Sequence, residues 1–294
     1  MSSSVKLFTH TDLDGVGCAI LAYHAFGSLD VTYCDYGNVN ELITEYLDGA
    51  ERHDNIYITD ISVNEAVAER IDRDDASWVL LDHHATALPL NFYDWAMVRV
   101  EKGGVKTSGT SLFNEYIRGI DCYTLDTFAE KVRSYDTWDW AVTGDTAAKD
   151  LNDLLYLIGR DAFVARFTQD ESVELTSEER MLLDVERARI DAYLRGKLPQ
   201  LTVRTINGLR VGIIFADRYQ SELGNYIVNE RDDIDLVAMI DPAKGVSYRS
   251  KGEVNVGEFA KLFGGGGHKN AAGSQVSDEQ REEIVKIIFG EVNV

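Results

Sequence analysis

The sequence predicts an α/β protein: an N-terminal domain built on a parallel sheet, followed by a smaller C-terminal α/β domain. Three observations carry that expectation. Short apolar runs alternate with helical patterns from Val5 to Leu81, a spacing that suits βαβ crossover units. Acidic and histidine residues follow those runs, where parallel sheets collect their ligands. A Gly196-Lys197-Leu198-Pro199 break ends a long charged helix, and the pattern after it restarts with a hairpin.

Taken in order, Val5–Thr9 reads as a buried strand and Val16–Phe26 as an apolar helix. Val31–Cys34 is strand-like and Val39–Leu47 helical; Asn55–Thr59 is again a strand and Val63–Ile71 a helix. Trp78–Leu81 is a fourth short apolar run. From Thr107 the pattern turns helical, at Ser108–Ile117, Leu125–Ser134, Leu151–Ile158 and Ser177–Leu194. The boundary is placed after residue 196, giving domains 1–196 and 197–294. Beyond it, Leu201–Ile206 and Arg210–Phe215 flank Asn207-Gly208, a hairpin turn signal. A helix at Ser221–Val228, strands at Leu236–Ile240 and Val246–Ser250, and a helix at Asp278–Phe289 complete the second domain.

The 294 residues suffice for two domains with substantial cores, and a 45% hydrophobic content with three prolines fits a globular chain. No run approaches the roughly 20 apolar residues of a membrane span. The N-terminus lacks a charged region followed by a long apolar stretch, so a cytoplasmic protein is expected. Cys18, Cys34 and Cys122 are odd in number and widely spaced, which fits reduced thiols. The formal charge of −21 argues against binding long duplexes, which needs a basic surface. Residues 1–197 hold 36 acids against 18 Lys/Arg, whereas residues 198–294 hold 14 against 11. The acidic excess therefore belongs to the first domain.

Four clusters in that domain carry chemistry: His10-Thr11-Asp12-Leu13-Asp14-Gly15, Asp60, Asp82-His83-His84 and Asp136. His10, Asp12 and Asp14 alternate along a segment read as extended, where a period of two puts them on one face. Asp60 suits either a helix N-cap for the segment near Ser62 or a carboxylate bridging two metals. Two adjacent histidines after a buried strand are more specific: one imidazole can bind metal while Asp82 orients a ring. Near Asp136, Asp139 is an equally available carboxylate. Together the clusters supply ligands for two divalent ions, which points to metal-assisted hydrolysis of a phosphate ester.

In the second domain, Gly264-Gly265-Gly266-Gly267-His268 carries a chain-entropy cost that folds accept where backbone approaches something closely. Its amides are expected to cradle a phosphate, with His268 and Lys269 adding charge or hydrogen bonds. Arg249 is a candidate phosphate fork. His24 and His53 join no cluster and are read as structural or surface residues, and the tryptophans as core.

These motifs, in this order, resemble the DHH phosphoesterases with a DHHA1-type C-terminal domain. Asp82-His83-His84 is similar to the eponymous triplet and Gly265-Gly266-Gly267-His268 to the GGGH motif of the second domain. Within the family, residues 10–18, 135–140 and 264–273 look most like the nanoRNases, which degrade very short oligonucleotides. The resemblance implies an active site in the cleft between a DHH domain and a DHHA1 domain. It implies one metal on His10, Asp12 and Asp60, and a second on Asp14, Asp60, His83 and Asp136. Asp82 and His84 are then catalytic, facing the ligands or the phosphate, while Arg249, Gly265, Gly266, Gly267 and His268 bind substrate. The implied cofactor is a pair of Mn²⁺ ions, and the ligand set also suits Mg²⁺, Co²⁺ or Fe²⁺. The expected activity is exonucleolytic hydrolysis of short single-stranded oligonucleotides to mononucleotides. The alternatives at the same site are a phosphatase for 3′-phosphoadenosine 5′-phosphate, a hydrolase of linear or cyclic dinucleotides, and a pyrophosphatase. A non-catalytic nucleotide-binding module is the alternative of a different class.

Overall fold

Five parallel strands form the first sheet: β1 (Val5–His10), β2 (Asp30–Cys34), β3 (Asn55–Thr59), β4 (Ser77–Asp82) and β5 (Ala96–Val98), in the order β2-β1-β3-β4-β5. The computed structural model describes residues 4–118, 123–170 and 172–290. The chain divides into two compact units, Met1–Leu183 and Asp184–Val294.

The central strands are apolar on both faces because both are covered. Phe8, Ile56, Ile58 and Leu80 pack on one side with α2 (Val39–Asp48) and α3 (Glu65–Ile71). Leu7, Tyr57 and Leu81 pack on the other with α1 (Leu13–Phe26) and α4 (Gly109–Tyr116). In this strand order the chain leaves β1 toward β2 on one side and returns to β3 on the other. The carboxyl ends of β1 and β3 therefore border the topological switch point, where open α/β sheets form a ligand crevice. The buried Thr9 and Thr59 hydroxyls join the two strands there, 2.8 Å apart.

The helices of the first unit continue with α5 (Tyr123–Asp136), α6 (Asp139–Thr143), α7 (Thr146–Ile158) and α8 (Arg160–Gln169). They enclose a core of Leu13, Val16, Ile20, Phe128, Leu151, Leu154 and Phe163. A small hairpin, β6 (Glu101–Lys102) and β7 (Val105–Lys106), precedes α4. β5, this hairpin, α6 and α8 were not expected. All are short or weakly patterned segments that tertiary packing stabilises. Cys18 and Cys34 are buried free thiols, while Cys122 lies outside the described residues. Trp78 is buried as expected, but Trp138 is 67% exposed and is not a core residue.

The division between units falls inside α9 (Ser177–Lys197) rather than at its end. Leu183 packs into the core of the first unit, whereas Ile190, Tyr193 and Leu194 pack with Ile214, Leu223 and Val237 of the second. The helix serves both cores, so its terminal break does not mark where contacts change. The second sheet is mixed: β8 (Thr202–Ile206), β9 (Leu209–Phe215), β10 (Leu236–Asp241), β11 (Gly245–Arg249), β12 (Gly266–Gly267) and β13 (Ala271–Ser274), ordered β12-β13-β11-β10-β9-β8. The β8–β9 hairpin turns at Asn207 and Gly208, both at positive φ. Helices α10 (Gln220–Glu230), α11 (Val256–Lys261) and α12 (Asp278–Phe289) complete the unit. Among the described residues no helix is long and apolar enough to cross a membrane.

Candidate metal centre

The acidic clusters meet at the β1/β3 switch point. His10 ends β1, Asp82 ends β4, and Asp136 is the last residue of α5. Asp60 follows β3 in a left-handed backbone conformation, φ 57°, strained for a non-glycine residue. Its amide donates to Leu81 O, and it caps no helix: the cap of α3 is Asn64. The extended reading of residues 10–14 is corrected. Asp12 is the N-cap of α1, its Oδ1 accepting from the amides of Asp14 and Gly15 at 3.1 Å, and Asp14 lies in the first helical turn. The three side chains converge because the chain turns from strand to helix between them.

Two ligand-like groups result, each with candidate atoms within 4.8 Å of one another: His10, Asp12 and Asp60, then Asp14, His83 and Asp136. His83 links them, its Nε2 lying 3.2 Å from Asp60 Oδ1 and 3.7 Å from both Asp14 Oδ2 and Asp136 Oδ2. An overlapping group contains Asp60, Asp82, His83 and His84, but Asp82 and His84 are already bonded to each other. Asp82 Oδ1 accepts from His84 Nδ1 at 2.7 Å and from the His83 and His84 amides. Asp139 is not part of the centre, because Arg133 Nη1 holds its carboxylate at 2.7 Å.

Sequence reasoning missed the residues that aim Asp14. The Gly109 and Thr110 amides at the start of α4 donate to its two carboxylate oxygens at 2.5 and 2.9 Å. A β-carbon on Gly109 would stand 2.4 Å from Asp60 Cβ, so only glycine fits there. The signal was present in Thr107-Ser108-Gly109-Thr110, an N-cap sequence with a small residue just inside the helix. Tyr36 was missed as well. It is exposed, its ring centroid lies 5.0 Å from that of His10, and its hydroxyl is 3.1 Å from His84 Nε2.

The electrostatics describe a centre short of positive charge. Burial, then repulsion from Asp14 and Asp12, pushes the Asp60 carboxyl well above the usual carboxylate range. The same causes push Asp136 up to about 8. Burial holds His83 below its ordinary value, while the bond to Asp82 holds His84 above it. His10 Nδ1 is 2.9 Å from Asp12 Oδ2 and 3.8 Å from Asp60 Oδ2. Asp60 Oδ2 and Asp82 Oδ2 are buried without hydrogen-bond partners among the described residues. Unpaired buried atoms beside crowded carboxylates are the arrangement a cation completes. The donors, carboxylate oxygen and imidazole nitrogen, suit divalent ions such as Mn²⁺ and Mg²⁺.

The glycine-rich segment differs from its expected phosphate cradle. The Gly264 and Gly265 amides donate to Lys261 O and Ala260 O, and the His268 amide to Ala271 O. Gly266 and Gly267 form β12 and pair with β13. The glycines answer a packing demand, since a β-carbon on Gly265 would come 2.1 Å from Gly273 O. Arg249 Nη1 donates to Tyr248 O and Nη2 to Ser221 Oγ, and His268 is exposed. A cavity of about 420 Å³ in this unit is lined by Lys244, Ser247, Gly264, Gly265 and Ser274, among others.

A family model for the DHHA1 domain matches residues 213–293. The oligoribonuclease NrnB of Bacillus subtilis (strain 168) is 38% identical over 301 aligned residues, covering 96% of this chain and 75% of that protein. The chain belongs to the DHH/DHHA1 phosphoesterase family. A 3′,5′-cyclic-nucleotide phosphodiesterase of Helicobacter pylori is 21% identical over 91% of each chain. Among solved structures, exonuclease RecJ bound to manganese has a TM-score of 0.62 at 15% identity, covering 97% of this chain and 88% of that one. A pGpG-specific phosphodiesterase, PggH, from Vibrio has a TM-score of 0.54 at 14% identity, covering 97% of each. These two share the DHH-type fold.

In this DHH protein the eponymous triplet is split by function of position. Asp82 is fully buried and aims His84, while His83 turns inward to the carboxylates. Of the other histidines, His24 Nε2 lies 2.7 Å from Phe167 O and His53 Nδ1 3.1 Å from Tyr46 Oη. His53 also lies near Asp30 and Glu51, a largely exposed acidic group away from β1 and β3 carboxyl ends.

Proposed function

We propose that this protein is a two-metal phosphodiesterase that hydrolyses short single-stranded oligonucleotides to mononucleotides. The observation that carries the reading is the pair of ligand groups bridged by Asp60 and His83 at the sheet's switch point. Its 38% identity to an oligoribonuclease over nearly the whole chain supports the substrate class. The −21 charge favours a short substrate over a long polyanion gripped along its backbone.

His10, Asp12 and Asp60 would hold one cation, and Asp14, Asp60, His83 and Asp136 the other, with Mn²⁺ the expected pair and Mg²⁺ or Co²⁺ substitutes. Bound there, the pair supplies positive charge to the phosphoryl oxygens and lowers the pKa of the attacking water. The protein's own groups fix that centre. The α4 amides orient Asp14, and the Gly109 approach locks Asp60 in place. Asp82 sets the tautomer and tilt of His84 beside the ligands. In the second unit, His268 and Arg249 contribute side-chain donors to the nucleotide, and Gly265, Gly266 and Gly267 allow the tight strand pairing that presents His268.

The test is a panel with Mn²⁺: di- to pentaribonucleotides, 3′-phosphoadenosine 5′-phosphate, linear and cyclic dinucleotides, and pyrophosphate, resolved by product length. Mononucleotides released from the short RNAs with the highest kcat/KM are expected. Binding of oligonucleotides without cleavage would replace the enzyme with a binding module, and preferred turnover of another arm would reassign the substrate.

A further inference from the structure

We propose that Tyr36 is a substrate-binding residue of this centre, its hydroxyl donating a hydrogen bond to a phosphoryl oxygen of the bound phosphodiester. The proposal rests on the phosphodiesterase reading above and adds a residue to that site.

The loop that carries Tyr36 is built before any substrate arrives. It joins the carboxyl end of β2 to α2, next to the switch point. Asp35 Oδ1 accepts from the Gly37 and Asn38 amides at 2.8 and 3.0 Å, and Asn38 Oδ1 accepts from the Asp35 amide at 2.8 Å. These reciprocal bonds fix the turn's backbone on both sides of Tyr36, and the ring's own contacts are with His10 and His84. The ring leans on His10, centroids 5.0 Å apart, and meets His84 edge-on at 5.9 Å. His84 in turn lies 4.3 Å from His83, centroid to centroid. The phenol thus stands beside both ligand groups.

The chemistry of the neighbours explains why a donor belongs there. The centre is made of carboxylates, which offer a phosphodiester only acceptors and repulsion. Both nitrogens of His84 are engaged, Nδ1 with Asp82 and Nε2 with Tyr36. The chain Asp82–His84–Tyr36 therefore ends in a hydroxyl on a residue that is 60% exposed. With the Nδ1 proton given to Asp82, the His84 ring accepts the phenol proton at Nε2 in the free site, and the hydroxyl can turn that proton toward a charged acceptor. A phosphoryl oxygen seated between the two ligand groups would be that acceptor.

The experiment uses the full chain with Mn²⁺ and a 5′-phosphorylated diadenylate, as the normal diester and as its two separated phosphorothioate diastereomers. Tyr36→Phe keeps the ring against His10 and removes the hydroxyl, which is both the donor and the partner of His84 Nε2; a loss that runs through His84 would be equal on all three substrates. Its kcat/KM on the normal diester is expected to fall roughly 10-fold or more, the loss of one hydrogen bond to a charged group. On one diastereomer the loss should shrink to about 3-fold or less, because sulphur is already a poor acceptor in the wild type. Sulphur that disturbs the cations slows both proteins alike and cancels in this ratio. No loss on the normal diester, or an equal loss on all three substrates, overturns the proposal. So does a weakening of Mn²⁺ affinity that matches the lost activity, since Tyr36 would then act through His10. A wild type that turns over none of the diesters sinks the phosphodiesterase reading and this residue's role together.

Discussion

In the first unit, five carboxylates and three histidines converge with buried atoms left unpaired, whereas in the second the glycine-rich segment is bonded to α11 and to the adjoining strand. Burial, with repulsion from Asp14 and Asp12, pushes the Asp60 and Asp136 carboxyls above the usual carboxylate range. The Gly264, Gly265 and His268 amides, by contrast, already donate to protein carbonyls. The difference teaches what each region still lacks. The first is left short of positive charge, whereas in the second the Gly264, Gly265 and His268 amides are already taken by the protein's own carbonyls.

Removing a ligand breaks the comparison most severely. Asp60→Ala or His83→Ala is expected to lower kcat on the order of 10³-fold or more, because several kcal/mol of transition-state stabilisation goes with the cations. Circular dichroism should show the fold kept, since each change also removes a buried group crowded by others. Activity within threefold of wild type in either variant would remove these residues from the metal site. His268→Ala sharpens the comparison from the other side. It should raise KM about 10-fold, the loss of one charge-assisted donor, with Mn²⁺ affinity unaltered by calorimetry. A fall in metal affinity with normal KM would reverse the roles given to the two regions.

Much of the architecture was legible in residues 5–82. Alternating apolar runs and helical patterns gave strands and helices within a few residues of those observed, and the Asn207-Gly208 turn was read correctly. The approximate site was legible too, because carboxylates after buried strands have few other reasons to recur. What escaped depends on contacts distant in sequence. Gly109 matters because it touches Asp60, and Asp139 is excluded because Arg133 claims it. Tyr36 went unremarked because its place beside His10 depends on β2 lying next to β1. The glycine run has a further reason that sequence does not show: a β-carbon on Gly265 would meet Gly273 of the adjoining strand.

The central claim is that the crowded carboxylates exist to hold cations, and counting bound Mn²⁺ against pH tests it most directly. Asp136 titrates at about 8 in the metal-free fold, against roughly 4 in an unfolded chain, so from about pH 4 to about pH 8 the folded protein retains a proton the unfolded chain has lost. Over that window the metal-free protein loses stability as pH rises, and cation binding tightens because it displaces the proton. Titration calorimetry with elemental analysis should therefore find two Mn²⁺ per chain at pH 8 and weaker binding at pH 5. A single ion or none at pH 8, or an affinity indifferent to pH, would contradict the account.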